Sequence, residues 1–181
     1  LFNMMRYFCG DVNWMSAHVT ESGREVTISD ARQPSEPVGA VAGDRIHGYF
    51  SFQNEVSGFF QSKKGRASGE NTYGMDIVGT EGIISLRGGA ADSLAVYPHP
   101  YFSPTNFEQD WKPIELEINP LMSGNRLAAI SLIQAIENDT QPTSSVVDAV
   151  AALEMIHGVY YSQLSGGRVP FPLADRTHPL S

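Results

Sequence analysis

Residues 46–63 read IHGYFSFQNEVSGFFQSK, a stretch in which large apolar and polar side chains alternate with a period of two. Such alternation is typical of β-strands, and the NE pair at its centre predicts the turn of a hairpin. On the first strand Phe50 and Phe52 share one face, while Tyr49 lies on the other. Adjacent Phe59 and Phe60 put aromatic rings on both faces of the return strand. A sheet with two apolar faces needs cover on both sides.

The rest of the chain contains further strand and helix patterns. Strands are predicted at 14–19, 73–78, 83–87 and 94–97, with a short edge strand at 114–118. Helical spacing of apolar residues predicts one helix at 1–10 and two that close the chain. The first of these two should bury Leu127, Ile130, Ile133 and Ile136. The second begins at the N-cap Ser145, with a capping box to Asp148, and should bury Val146, Val150, Leu153, His157 and Tyr160.

The order of these elements predicts an α+β fold: one open, mostly antiparallel (mixed) sheet of five or six strands, with helices on one face. We expect residues 1–181 to form a single domain. The uncovered face should carry Tyr49 and Phe60, an apolar patch that soluble monomers rarely leave in water. A homo-oligomer formed through the open sheet face, in the simplest case a two-fold dimer, is therefore expected.

Composition excludes several classes of function. The 12 basic and 20 acidic residues give a net charge of −8, which argues against nucleic acid or an anionic membrane surface as the partner. No apolar run approaches a membrane span, and no signal peptide is visible. The single cysteine, Cys9, excludes an internal disulfide and fits a reducing compartment. We expect a soluble, cytoplasmic protein.

The usual nucleotide and metal motifs are absent. No G-x-G-x-x-G or P-loop pattern occurs, and no strand–helix alternation builds a Rossmann unit. The five histidines show no metal-ligand spacing, so we expect no metal. His18 and His47 lie on the more polar sheet face, where they either line a substrate site or stand at a subunit contact.

Five motifs in this order resemble a known family: LFNMMRYFCGD (1–11), MDIVGTEGII (75–84), AIENDTQP (135–142), ALEMI…YS (152–162) and GRVPFPL (167–173). They are similar to the C-terminal domain of the Gfo/Idh/MocA (glucose–fructose oxidoreductase/inositol dehydrogenase) family. The first resembles the segment H-L-x-D-x-x-R-x-x-x-G-D that opens that domain, and the second resembles a strand–G-T-x-G–strand hairpin.

The resemblance implies a dihydrodipicolinate-reductase-like C-terminal domain of an oxidoreductase that uses NAD or NADP on a sugar, cyclitol or similar polyol. The Rossmann domain would lie upstream, and this chain alone should bind no cofactor and be inactive. The family's catalytic lysine, aspartate and histidine would also precede Leu1, so no catalytic residue is expected here. Asn3 stands where the family often has aspartate, which removes a charge near that histidine.

The substrate-binding candidates are Asn3, next to the expected histidine, with Asn71 and Tyr73 before the G-T-x-G turn. Amide and phenol groups hydrogen-bond sugar hydroxyls, although turn and core roles are equally open for these residues. The alternative function is a non-catalytic, stand-alone binding module with the same sheet. We favour the dehydrogenase domain because the sequence opens within an amphipathic helix, which leads us to expect residues upstream of Leu1.

Overall fold

The computed structural model describes residues 1–65, 71–89, 93–100, 110–115 and 124–181. The α-helices in these ranges are α1 (Phe2–Cys9), α2 (Gly124–Asn138) and α3 (Val146–Ser165). The strands are β1 (Val12–Glu21), β2 (Arg24–Glu25), β3 (Arg45–Phe52), β4 (Ser57–Lys63), β5 (Asn71–Val78), β6 (Ile83–Gly89), β7 (Ser93–Tyr97), β8 (Lys112–Ile114) and β9 (Val169–Pro170). Every ladder within the described ranges is antiparallel, so the expected α+β class with antiparallel strands is confirmed.

The described strands form two sheets, where a single sheet was expected. In the first, the order is β2-β1-β3-β4, with β9 also paired to β1; in the second, it is β5-β6-β7-β8. The chain likewise divides into two compact units, one of residues 1–65 with 128–181 and one of residues 66–127. Side-chain alternation identifies strands and local hairpins, but it contains no signal for which hairpins join edge to edge.

The core of the first unit lies on one face of its sheet. Met15, Val19, Phe50 and Phe52 are fully buried there. Helix α1 contributes Phe2, whose ring lies 5.3 Å from that of Phe50. Helix α3 packs on the same face, since a Cβ atom added at Gly158 would lie 2.8 Å from the sulfur of Met15. Helices α1 and α3 therefore cover one face of this sheet, as expected.

The hairpin at 46–63 forms with its turn at Gln53–Glu55, where Asn54 takes a left-handed backbone conformation (φ 63°). Its cross-strand register pairs Tyr49 with Phe59 and Gly48 with Phe60. Phe60 therefore lies on the core face, with its ring 4.6 Å from that of Phe2. The expectation that Phe60 joins Tyr49 on the open face was wrong, because residues directly opposite in a ladder share a face.

Helix α3 begins with the predicted capping box, in which Ser145 and Asp148 each accept the other's backbone N–H. Of its predicted inner residues, Tyr160 is buried and His157 is partly buried, whereas Val146, Val150 and Leu153 are exposed. Met155, Gly158 and Val159 complete the buried side. In α2, Leu127, Ile133 and Ile136 are likewise exposed, and only Ala135 is buried. Both helices are apolar on more than one side, so the 3.6-residue period cannot select the inward face.

The G-T-x-G turn joins β5 and β6, and the N–H of Gly79 donates to the carbonyl of Gly82 at 2.8 Å. A Cβ atom at Gly82 would collide with the backbone carbonyl oxygen of Tyr97, at the end of β7. Close approach of β7 thus explains why the motif ends in glycine. The predicted edge strand at 114–118 begins earlier, at Lys112, and residues 116–118 lie outside the described ranges.

Candidate functional site

Asn3 lies on α1, half-buried, where this helix meets the start of α3. Its side-chain amide donates to the hydroxyl of Ser144 at 3.4 Å. Ser144 immediately precedes the N-cap of α3, so the first substrate-binding candidate stands beside a helix N-terminus. An amide in this position can both donate to and accept from a ligand hydroxyl.

Arg6, one helical turn after Asn3, links three parts of the first unit. Its guanidinium donates to Asp11 at 2.6 Å and to Asp148 at 2.5 Å. The same Asp148 carboxylate accepts from the backbone N–H of Ser145 at 2.8 Å and from its hydroxyl at 2.7 Å. The Ser145 backbone, the Ser145 hydroxyl and Arg6 together lower the pKa of Asp148 to about 2. Asp148 therefore stays ionised at neutral pH and raises the pKa of Arg6.

The sequence pattern predicts Asp148 as part of a capping box, but it does not predict Arg6 as its partner. The available signal was the arginine of the opening motif, which occupies a helix position beside an otherwise apolar stripe. Nothing in local spacing connects it with a carboxylate 142 residues away.

Tyr73 lies in the second unit, on β5, with 49% of its surface exposed. It is paired with Gly88 on β6, and a Cβ atom at Gly88 would collide with its ring. The ring therefore lies flat across the neighbouring strand. Asn71 begins the same strand, but its side chain lies outside the described residues. Asn3 and Tyr73 belong to different units, so their joint role remains a prediction.

A charged pair follows Tyr73 along the same hairpin and was not singled out from the sequence. Arg87 on β6 bonds Asp76 on β5, with 2.8 Å between Nη1 and Oδ1 and 3.0 Å between Nη2 and Oδ2. This arginine lowers the pKa of Asp76. The pair is a structural tie between strands, and its bidentate geometry holds both side chains in place.

The open face of the first sheet carries an aromatic cluster made of Trp14, Tyr49 and Phe59. The Tyr49 ring lies 5.1 Å from Trp14 and 5.2 Å from Phe59, and Phe59 is 79% exposed. The guanidinium of Arg168 lies 4.0 Å from the Trp14 ring centre, a cation–π contact. A partly exposed set of rings on a regular sheet is typical of a contact surface.

The two sheet histidines lie beside this cluster on the same open face. His18 and His47 are direct cross-strand partners, and with Tyr49, Phe59 and Gln61 they line a shallow concavity of about 600 Å³. His18 Nε2 is 3.7 Å from a carboxylate oxygen of Glu25. Their predicted face is therefore correct, and a substrate site or a subunit contact is the role predicted for them.

The described part of the chain has neither a cluster of metal ligands nor a membrane-spanning helix. No group of three or more histidine, cysteine, aspartate or glutamate side chains there could hold a metal ion. None of the described helices has the length and apolarity needed to cross a membrane.

Residues 1–171 match the family model for the oxidoreductase family C-terminal alpha/beta domain, Gfo/Idh/MocA. No curated protein sequence gives a significant match.

Solved structures share the fold at low identity. A levoglucosan dehydrogenase in complex with NADH and L-sorbose is 19% identical, with a TM-score of 0.67 over 94% of this chain and 48% of that one. The WlbA dehydrogenase from Bordetella pertussis, with NADH and UDP-GlcNAcA, is 16% identical, with a TM-score of 0.61 over 95% and 43%. The super-repressor mutant of Gal80p from Saccharomyces cerevisiae is 14% identical, with a TM-score of 0.63 over 93% of this chain and 46% of that one. The chain thus spans less than half the length of each of these proteins.

Proposed function

The chain belongs to the Gfo/Idh/MocA oxidoreductase family as its C-terminal alpha/beta domain, and from this premise we propose a role in a larger enzyme. It forms the substrate-side and oligomerisation half of an NAD(P)-dependent oxidoreductase that acts on a sugar, cyclitol or similar polyol. The dinucleotide, together with the lysine, aspartate and histidine that act on the substrate, belongs to the other half. The contribution of this chain is to bind and orient the polyol and to join subunits.

The observation that carries this proposal is the outward apolar surface of the helices. Val146 on α3 is 77% exposed and Ile136 on α2 is 73% exposed, and further valine, leucine and isoleucine side chains accompany them. Helix faces of this kind need cover from another domain. The solved relatives are about twice as long as this chain, which supports a second domain as the cover.

Substrate contact is assigned to Asn3, Asn71 and Tyr73. The exposed edge of the Tyr73 ring and the Asn3 amide at the start of α3 offer the neutral hydrogen-bonding groups that polyol hydroxyls require. Because they carry no charge, they can select hydroxyl positions without competing with the proton transfer that the other domain performs.

The test is made in the complete enzyme. Tyr73→Phe and Asn71→Ala should each lower kcat/KM for the polyol by roughly two- to twelve-fold, the value of one neutral hydrogen bond. The affinity for the nicotinamide cofactor should not change. Tyr161→Phe is the matched control, since its hydroxyl bonds the Thr177 carbonyl instead. A lower Tm with unaltered kcat/KM in both variants would assign the two residues to the fold and contradict substrate contact.

Self-association is assigned to the open sheet face. A second copy placed by a two-fold axis would cover Trp14, Tyr49 and Phe59 with the same residues of its partner. Light scattering at high micromolar concentration should report a dimer or larger species, and Phe59→Glu should shift it to monomer, whereas the conservative Phe59→Tyr should not. A wild-type monomer under these conditions would overturn this part of the proposal.

The alternative is a non-catalytic module that kept the sheet and lost catalysis. The likeness in fold to a super-repressor favours it as a second candidate. Sequencing the reading frame upstream of Leu1 separates the two, since a G-x-G-x-x-G strand–helix unit followed by a D-x-x-x-H pair is expected only for the enzyme. Calorimetry of the 181-residue chain should show no NADH binding, and micromolar affinity would contradict the proposed division of labour.

A further inference from the structure

The last nine residues, 173–181, form a C-terminal strap that lies against α3. Leu180, next to the chain end, is only 4% exposed, and Leu173 at the start of the strap is also buried. The strap is therefore anchored by apolar side chains at both ends. Its middle, from Ala174 to Thr177, is exposed, so the contacts there are polar ones at the surface.

Three polar or aromatic contacts join the strap to α3. The Tyr161 hydroxyl donates to the carbonyl of Thr177 at 3.0 Å. The Arg176 guanidinium lies 2.5 Å from a carboxylate oxygen of Glu154. Between these contacts the His157 ring of α3 meets the His178 ring of the strap edge to face, with ring centres 4.9 Å apart.

The hydrogen bonding of His178 requires its neutral form. The backbone N–H of Leu180 donates to Nδ1 of His178 at 3.2 Å, and a ring nitrogen accepts only when it carries no proton. A protonated imidazole has donors on both nitrogens. It would leave the Leu180 N–H without this acceptor beside a buried side chain, which is costly.

We propose that the neutral rings of His157 and His178 hold the strap against α3, and that protonation of this pair releases it. Two imidazolium groups at this separation repel each other, and the Leu180 hydrogen bond is lost at the same step. The inference uses contacts within the first unit alone and does not depend on the proposed enzymatic role.

The charges around His157 come from two elements. Its own helix supplies the Glu154 carboxylate, and the strap supplies His178 and the Arg176 guanidinium, which is engaged with Glu154. The loop packed against His178 contributes the backbone of Gly39, where an added Cβ atom would lie 3.2 Å from Nε2 of His178. Burial lowers the pKa of His157, and His178 lowers it further, against an opposing effect of Glu154.

Docking of the strap against α3 should be stronger at neutral than at acidic pH. A histidine whose pKa is lowered in the docked state binds protons more readily once undocked, so docking is strongest above the ordinary histidine pKa of about 6.5 and weakens as the pH falls below it. Release would uncover the outer surface of α3 around Tyr161.

Hydrogen exchange of the 181-residue protein, corrected for intrinsic rates, tests this directly. The protection factor of the Leu180 amide should fall roughly tenfold or more between pH about 7.5 and about 5.0, while Met155 and Val159 in α3 stay protected. His178→Asn, which keeps an uncharged acceptor near the Nδ1 position, and His157→Phe, which keeps the ring, should each reduce this fall. His18→Gln, a histidine on the open sheet face, is the matched control and should respond like the wild type.

Two results would overturn the proposal. The first is a Leu180 protection factor that is equal at both pH values, or that falls together with those of Met155 and Val159, since the latter means unfolding of the whole unit. The second is a full wild-type response in the H157F/H178N double variant. If a variant fails to fold, the wild type and His18→Gln still decide the first point.

Discussion

Arg6 and Asp148 stand 142 positions apart in the chain, and their side chains meet at 2.5 Å between Nη1 and Oδ1. The contact joins the first helix to the N-terminus of the last long helix, where Asp148 already accepts from Ser145. One carboxylate thus both caps α3 and anchors α1, the helix that carries Asn3. Because a helix N-terminus favours negative charge, the dipole of α3 supports the same ionised state.

Removing either partner should destabilise the first unit. We expect Arg6→Gln to lower Tm by about 2–4 °C, since it leaves Asp148 without its cationic partner. In a double-mutant cycle, Arg6→Gln combined with Asp148→Asn should cost less than the sum of the single changes. Calorimetric melting provides the measurement, with Lys63→Gln at the exposed hairpin end as control. Strict additivity would show that the two side chains act independently.

Asp148 should also make stability depend on pH. Its pKa is lowered to about 2 in the folded chain, against about 3.9 for an ordinary aspartate. Its contribution is therefore present above pH about 4 and is lost as the pH falls toward about 2. Urea unfolding should show wild type more stable than Asp148→Asn at neutral pH, with the difference shrinking over that window. A difference that stays constant down to the lower limit would argue against the assignment.

The Ser145 side chain should contribute more to the free energy of unfolding than the side chain of Ser144. Its hydroxyl accepts from the Asp148 backbone N–H at 3.3 Å and caps α3, so Ser145→Ala is expected to cost about 1 kcal/mol of unfolding free energy. Ser144→Ala is the matched control and should cost clearly less, because the side-chain contact of Ser144 among the described residues is the 3.4 Å hydrogen bond from Asn3. Chemical denaturation of the two variants measures both losses of unfolding free energy. Equal losses would mean that the Ser145 cap does not stabilise α3.

The two glycines of the G-T-x-G turn should behave differently. Gly82→Ala places a Cβ atom against the Tyr97 carbonyl oxygen, which belongs to the backbone and cannot rotate away; we expect a cost of about 1–3 kcal/mol. At Gly79 the nearest atom is 3.5 Å away, so Gly79→Ala should be tolerated within about 0.5 kcal/mol. Denaturant titration of both proteins measures this. If both variants were tolerated equally, close approach of β7 would not explain the motif.

The sequence by itself determined the local elements and the family. The alternation at 46–63 predicted a hairpin that forms, the capping box at Ser145 and Asp148 is present, and motifs spread along the chain identified the Gfo/Idh/MocA domain, which the family match confirms. The hairpin and the capping box are local signals, because each depends on neighbours within one strand pair or one turn of helix.

Only the tertiary structure decided which apolar face is buried and which distant groups meet. Helix α3 is apolar on both sides, so the contact with Met15 of β1, and not periodicity, selects Gly158 and Met155 as its inner face. Likewise, the contacts between Arg6 and Asp148 and between His157 and His178 join residues whose separation in the sequence follows no helix or strand period. Local propensity acts over a few residues, whereas these choices depend on how whole elements pack and exclude water.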